Sequence, residues 1–276
     1  MHIDGFVAIV AHTVVLGGGP SAPVSGDKAN LVAAAYYAAE AALRLMKAGA
    51  KSKAVPEAVA KVAAAFGVTP VVSMQAQELA QWSLETPKTV PMRVNAKDPD
   101  LPRFKEVEFE KGQAWAVDVA MSTGEGKPKD RDTRTTVWKK NAEVKFQVKG
   151  ANARKLMADV AKRFPTLPFT LRAFEDERAA KAGVLEPKDH GVLSAFPVQY
   201  EPADRLVAHF KFTALLLEGG TLKITGGELP AWVTPSKELP EDVKALLATQ
   251  PYVKRAKGGG GAAAAAAAAA GAMQVE

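Results

Sequence analysis

Twelve Lys and Arg residues between Thr123 and Arg163 are the side chains most open to a chemical reading. They are Lys127, Lys129, Arg131, Arg134, Lys139, Lys140, Lys145, Lys149, Arg154, Lys155, Lys162 and Arg163. Only 5 Asp or Glu lie among them, a local balance of +7, while the rest of the chain holds 24 basic and 25 acidic residues. The net charge of +6 is therefore concentrated in one stretch. Clustered cations on a folded surface are the electrostatic footprint of a phosphate-backbone binder. Such contacts give affinity without reading base sequence, and structured RNA is commonly recognised in that way. The plain alternative is a solvated basic loop. Trp138, beside Lys139, reads as a core residue of a strand rather than a platform for a base.

Other chemistries are poorly supplied. The chain has no Cys, which removes disulfides, thiolate metal sites and cysteine nucleophiles, and fits a reducing compartment. Ser73, Ser122 and Thr123 lie outside any nucleophile-elbow pattern and have no neighbouring base. The run STGEGK at residues 122–127 lacks the spacing of a phosphate loop and reads as a turn exposing Lys127 and Lys129. His12 and His209 sit in apolar, strand-like runs and read as satisfied core or surface groups; His190 falls in a turn. No two histidines have metal-ligand spacing.

The elements that must position these residues alternate between sheet and helix. Residues 2–17 read as a β-hairpin, or its second half, turning at Asp4-Gly5. Their apolar run 6–16 resembles a signal-peptide core, but it lacks a basic flank and a convincing small-residue cleavage pattern. Residues 28–47 predict a helix with Asp27 as N-cap and Gly49 beyond its end; residues 56–66 predict a second, opened by Pro56 and closed by Gly67. Residues 69–92 are mixed and 88–100 read as loop. Residues 107–121 predict two strands about Lys111-Gly112. Residues 124–134 read as exposed loop, 135–149 as strands turning near Asn141, and 151–164 as a helix with a Leu156, Val160, Phe164 stripe. A further helix is expected at 171–182, where RAFEDE at 172–177 would pair Arg172 with Asp176 at i, i+4. Strands follow at 192–200, 206–217 and 222–224, then a weak helix at 239–247. No run is long enough to predict a membrane span. Residues 253–276 are a low-complexity Gly/Ala tail with no face to dock, expected to fray.

Four blocks carry a family resemblance: HIDGFVAIVAHT at 2–13, SMQAQELAQWSLETPKTVP at 73–91, WAVDVAMSTGEGK at 115–127 and AHFKFTALL at 208–216. Their order and spacing resemble the core blocks of type 2 methionine aminopeptidases, which hold two divalent ions with two Asp, one His and two Glu. Four of those five positions read here Ile9, Gln77, Asp118 and Lys211; the fifth would lie upstream of Met1. Hard divalent ions want oxygen ligands or a neutral imidazole. Ile9 offers no donor, Gln77 a neutral amide, Asp118 a shortened carboxylate, and Lys211 a cation that opposes a metal directly. Without the metal there is no activated water for peptide hydrolysis. Asp118 and Lys211 would otherwise be unpaired charges, so a buried pair between them is expected.

Three further blocks, EAALRLMKAG at 40–49, MSTGEGKPKD at 121–130 and PFTLRAFEDERAAKAGVLE at 168–186, resemble the proliferation-associated protein 2G4 family, the ErbB-receptor-binding proteins. The likeness runs from His2 to about Tyr252. It implies an α+β pita-bread fold lacking its N-terminal portion, spanning residues 1–252, with a basic and helical insert at about 123–200. It implies no catalysis, no metal and no cofactor. It also implies RNA binding, association with the large ribosomal subunit, and roles in ribosome biogenesis, translation and growth regulation, in cytoplasm and nucleus, nucleolus included. The family's lysine-rich C-terminal tract has shrunk here to Lys254, Arg255 and Lys257. The competing readings are a protein-interaction adaptor or transcriptional co-regulator, docking a partner through the emptied pocket or the helical insert with its RAFEDE segment, and, least supported, an active metal-dependent aminopeptidase.

Overall fold

The computed structural model describes residues 1–94 and 103–253. The polar segment at 95–100 and nearly all of the Gly/Ala tail, from Lys254 onward, lie outside the described residues.

The chain opens with a two-residue-per-strand hairpin, β1 (His2–Ile3) and β2 (Phe6–Val7). Asp4 and Gly5 both take positive φ, as a tight hairpin turn requires. Helix α1 (Gly26–Leu45) follows, then α2 (Ala54–Phe66). Ser25 rather than Asp27 is the N-cap of α1; Asp27 sits in the first turn, where its charge suits the helix dipole. Eight alanines of α1 from Ala29 to Ala42, including Ala33, Ala34 and Ala38, are buried, so small side chains let the helix lie close to its neighbours. Gly67 closes α2 in the left-handed conformation.

The sheet is built from β3 (Thr69–Pro70), β4 (Gln75–Leu79), β5 (Thr89–Pro91), β6 (Ala114–Ser122), β12 (Val207–Leu217) and β13 (Gly220–Lys223). Among the described residues these six form one antiparallel sheet in the order β13-β12-β6-β4-β5, with β3 also on β6. β6 and β12 pair along nine residues, from Val207↔Ser122 to Leu215↔Ala114. Side chains alternate between the two faces of a strand. Trp115, Val117, Val119 and Met121 therefore join Phe210, Phe212 and Ala214 on the face that packs with α1 and α2 in the main core. Ala116, Asp118 and Ala120 share the opposite face with His209, Lys211 and Thr213. Helix α6 (Glu241–Ala248) closes the chain's last described stretch against α1 and α2.

Between β6 and β12 the chain makes a second buried cluster of its own. Its elements are β7 (Lys129–Asp130), β8 (Val137–Lys140), α3 (Ala151–Arg163), β9 (Phe169–Thr170), α4 (Glu177–Gly183), α5 (Leu185–Asp189), β10 (Leu193–Phe196) and β11 (Gln199–Tyr200). Trp138, Leu156, Val160, Phe169, Leu171, Phe174 and Leu193 form the cluster. Strands β7 and β11 pair where the segment leaves and rejoins the sheet.

Several expected elements differ. The second half of 107–121 is a strand, but the first half supplies only an isolated bridge between Glu108 and Lys51. After Lys140 the expected strand does not resume; Phe146 stacks on His190 at 3.7 Å, and Glu186 accepts the N–H groups of Lys149 and Gly150 at 2.6 and 2.8 Å. The helix expected at 171–182 is broken. A 3-10 turn at Leu171–Ala173 ends where Phe174 turns into the cluster, and α4 restarts with Asp176 accepting Ala179 N–H as N-cap. Asp competes for backbone donors in this way and favours caps over helix interiors. Arg172 and Asp176 are thus not an i, i+4 helical pair. The strand expected at 222–224 lies at β13, ending at Lys223.

Candidate functional site

The site is assembled by register. Lys211 on β12 is the direct partner of Asp118 on β6, and Gln77 on β4 is the partner of Ala116, two residues along the same face. Ile9 arrives from the N-terminal segment, where Ala11 bridges Lys211 and Ile9 N–H donates to Thr213 Oγ1 at 2.8 Å. All four sequence-derived positions, Ile9, Gln77, Asp118 and Lys211, line one cavity of about 370 Å³. Ser73, Gln75, Glu85, Lys139 and Phe196 are among its other walls.

Asp118 is the centre of the polar network. Lys211 Nζ donates to its Oδ2 at 2.5 Å, and His209 Nε2 stands 2.5 Å from its Oδ1. Burial is the largest single influence on Asp118 and pushes its pKa up. The His209 hydrogen bond, the Lys211 and His209 charges and the Lys211 hydrogen bond together outweigh it, so the carboxyl is held below its ordinary value. The ionised carboxylate only accepts, so His209 carries its proton on Nε2. On the cavity rim Lys139 pairs with Glu85 at 2.5 Å, which places this lysine inward.

His209 is the member that the sequence reading assigned to plain core or surface. The signal was present: β12 alternates, so residue 209 shares the face of Lys211 two residues on. The expected Asp118–Lys211 pair is observed.

A metal pair is what the aminopeptidase resemblance implies here, and the residues do not fit one. Both Asp118 oxygens are engaged, an ammonium occupies the approach, and Ile9 brings no donor atom. Among the described residues no group of three or more His, Asp or Glu could hold a metal ion.

The basic residues are dispersed. Lys129, Arg131, Arg134, Lys145, Lys149, Arg154, Lys155, Lys162 and Arg163 are exposed, and Lys127, Lys139 and Lys140 are half-buried. Lys127, Lys129 and Arg131 line one depression with Tyr200 and Arg205, and Arg131 lies over the Tyr200 ring at 5.1 Å. Lys155 and Arg163 line another, with Asp159 and Glu175. Lys139 and Lys140 line a third with Trp82. Arg134 pairs with Glu177 at 3.7 Å.

No protein-family profile matches the chain. It is 40% identical over 258 residues to ErbB-3 binding protein 1 of Arabidopsis thaliana, spanning 93% of this chain and 63% of that protein. Proliferation-associated protein A of Dictyostelium discoideum is 33% identical over 250 residues, 90% of this chain and 64% of that one. The chain belongs to the family of ErbB-3 binding protein 1 and proliferation-associated protein A. Curved DNA-binding protein of Schizosaccharomyces pombe is 30% identical over 259 residues, 93% of this chain and 66% of that protein. A more distant likeness joins the family member to the methionine aminopeptidase of Archaeoglobus fulgidus, at 27% identity over 219 residues, 79% of this chain and 68% of that enzyme. Among solved structures, that of a thermophilic Arx1 superposes with a TM-score of 0.77 at 26% identity, covering 91% of this chain and 72% of that one. The fold is the α+β pita-bread type. This family member spans 63%, 64% and 66% of the length of the Arabidopsis, Dictyostelium and fission-yeast relatives, a little under two thirds of each. No described helix is long and apolar enough to cross a membrane.

Proposed function

We propose that the protein is a non-catalytic RNA binder that associates with the large ribosomal subunit and acts in translation and growth control, using the aminopeptidase scaffold without its metals. The observation that carries the non-catalytic half is the Lys211 ammonium, 2.5 Å from Asp118 in the cavity where the enzymes hold their ions. A site that repels a dication generates no metal-bound hydroxide. The RNA-binding half is supported by the nine exposed cations between Lys129 and Arg163, by the nucleic acid named for the fission-yeast relative, and by what family membership implies. Cytoplasm and nucleus are the compartments this reading expects. The alternative is a protein-interaction adaptor that docks through the emptied pocket or the helical insert, where the RAFEDE segment is split and helix resumes at Glu177.

The test is binding to structured ribosomal RNA across a salt series, with a Lys129→Glu, Arg131→Glu, Lys149→Glu, Lys155→Glu variant beside the unaltered chain. Lys139 is left alone because it is committed to Glu85. Each phosphate contact contributes about one unit to the slope of log affinity against log salt, so the variant's slope is expected to be shallower and its affinity lower. No binding at low salt, or equal binding by the variant, overturns the RNA reading. Release of N-terminal Met in the presence of cobalt or manganese overturns the non-catalytic one.

A further inference from the structure

Lys139 is a cation aimed inward. On β8, Trp138 packs into the insert's own buried cluster, so its neighbour Lys139 projects from the opposite face. Ser194, the register partner of Lys139 on β10, shares that face, and so does Phe196, two residues further along β10. Only 19% of the Lys139 side chain is exposed, and among the described residues its one ion-pair partner is Glu85, at 2.5 Å. A lysine so far from water needs an anion beside it.

The anion it has is the exposed half of the pair. Glu85 lies on the segment joining β4 to β5, and 67% of its side chain is exposed. Among the described residues no donor other than Lys139 holds that carboxylate. Fixing a long, solvated side chain in one pose costs entropy, so such a pair contributes little net. Lys139 needs a partner, whereas water solvates Glu85 nearly as well.

The pair also stands at a junction. Lys139, Glu85, Leu84 and Phe196 line both the cavity of about 370 Å³ that Asp118 lines and a neighbouring depression of about 510 Å³. On the cavity side Ile9, Leu79, Ala116 and Pro168 supply apolar wall. On the other side Ser83, Asn141, Thr166 and Ser194 supply hydroxyl and amide groups. The cavity is at the small end of ligand pockets, suited to an apolar side chain and little more. The last residue of a polypeptide has the matching composition. It carries a carboxylate and a side chain on one carbon, with an amide chain leading away. An internal Asp or Glu brings the charge without the apolar group beside it, and a fatty acid brings the apolar chain without the amides.

We propose that this cavity takes the C-terminus of a polypeptide ending in an apolar residue, whose carboxylate replaces Glu85 on Lys139. Glu85 fills the ligand's place in the free protein. The exchange conserves charge: one carboxylate leaves Lys139 for water as another arrives, so the lysine is never left bare. The apolar side chain enters the cavity and the preceding residues cross the polar depression. The site is the emptied pocket of the adaptor reading with its occupant named. It owes nothing to RNA binding, whose test variant leaves Lys139 unaltered, so either can fail alone.

The experiment is isothermal titration calorimetry on the full chain with three short peptides. They are acetyl-Gly-Ser-Gly-Leu as the free acid, the same peptide as its C-terminal amide, and Leu-Gly-Ser-Gly amide with a free amine. The acid is expected to bind, and the amide at least about tenfold more weakly, the loss of a hydrogen bond between charged groups. Lys139→Gln should bind acid and amide alike and weakly. Glu85→Gln removes the resident carboxylate and should bind the acid about two- to fivefold more tightly, the worth of an exposed ion pair. Unchanged circular dichroism confirms that each variant folds, and the comparison of acid with amide on the unaltered chain stands without either. No binding of the acid, equal binding of acid and amide, a preference for the free-amine peptide, or binding by Glu85→Gln no tighter than by the unaltered chain each overturns the proposal.

Discussion

Asp118 and Lys211 are direct register partners on β6 and β12, and their side chains meet at 2.5 Å on the cavity face of the sheet. The adjacency follows from the ladder: residues opposite one another in an antiparallel pair project to the same side. Each charge is largely shielded from water, with 15% of the Asp118 side chain and 26% of the Lys211 side chain exposed. Each is tolerable because the other is there.

Removing one partner should cost more than removing both. Lys211→Met leaves Asp118 with His209 alone, and an uncompensated, mostly buried carboxylate is expensive. The expected loss is about 2 kcal/mol, less than for a fully isolated charge because the imidazole remains. Asp118→Leu with Lys211→Met should recover most of it. Urea unfolding of the three proteins measures this; a double variant weaker than the single would refute the coupling.

Acid should erase the contribution of Asp118. Its pKa is depressed in the folded chain relative to 3.8. The carboxylate's contribution is therefore fully present above the unfolded value and is lost as pH falls through the folded one. The stability gap between the unaltered chain and Asp118→Asn should be widest above about pH 4 and narrow below it. A gap that widens on acidification would have the wrong sign.

Donor chemistry, rather than cavity shape, should be what keeps a metal out. Manganese is expected to leave the melting temperature of the unaltered chain unchanged. Ile9→Asp, Gln77→His, Asp118→Glu and Lys211→Glu together place carboxylate or imidazole donors at four positions that line one cavity. That variant should melt higher with manganese, by the equivalent of about 2.7 kcal/mol at a hundredfold excess over its dissociation constant. Equal responses from both proteins would mean the four positions do not define the site.

The N-terminal hairpin should be sensitive at Gly5. This residue has φ of +81°, and a Cβ there would run into the Trp82 indole; the Trp82 backbone N–H donates to the Gly5 carbonyl at 2.9 Å. Gly5→Ala is expected to cost at least about 1 kcal/mol from backbone conformation alone, with tryptophan fluorescence shifting as Trp82 is displaced. A neutral substitution would show that the hairpin does not press on that ring.

Sequence made the ladder legible because period-two alternation in 207–217 and an apolar run in 114–122 have few other solutions. Once those two strands are adjacent, Asp118 and Lys211 are forced together. His209 escaped because a lone histidine was weighed by type instead of by the face it shares with residue 211. The failures cluster between β6 and β12. Residues 171–182 have helical composition, yet the inward turn of Phe174 and the cap at Asp176 split them, and neither is visible without the tertiary contact. Residues 144–149 alternate like a strand but are held by Glu186 and His190, far along the chain.

Ser122 and Val207, the last residue of one long strand and the first of the other, face each other across the ladder. Everything from 123 to 206 therefore begins and ends within one rung's width. A two-residue turn could join those rungs, because they already stand as the closing pair of a hairpin. The whole excursion, with its own packed interior and its cations, is hung from the parent sheet as a pendant. Its surface can be remodelled, exchanged or lengthened while the rung that bears it keeps its spacing, and with it the Lys211–Asp118 contact four residues further in.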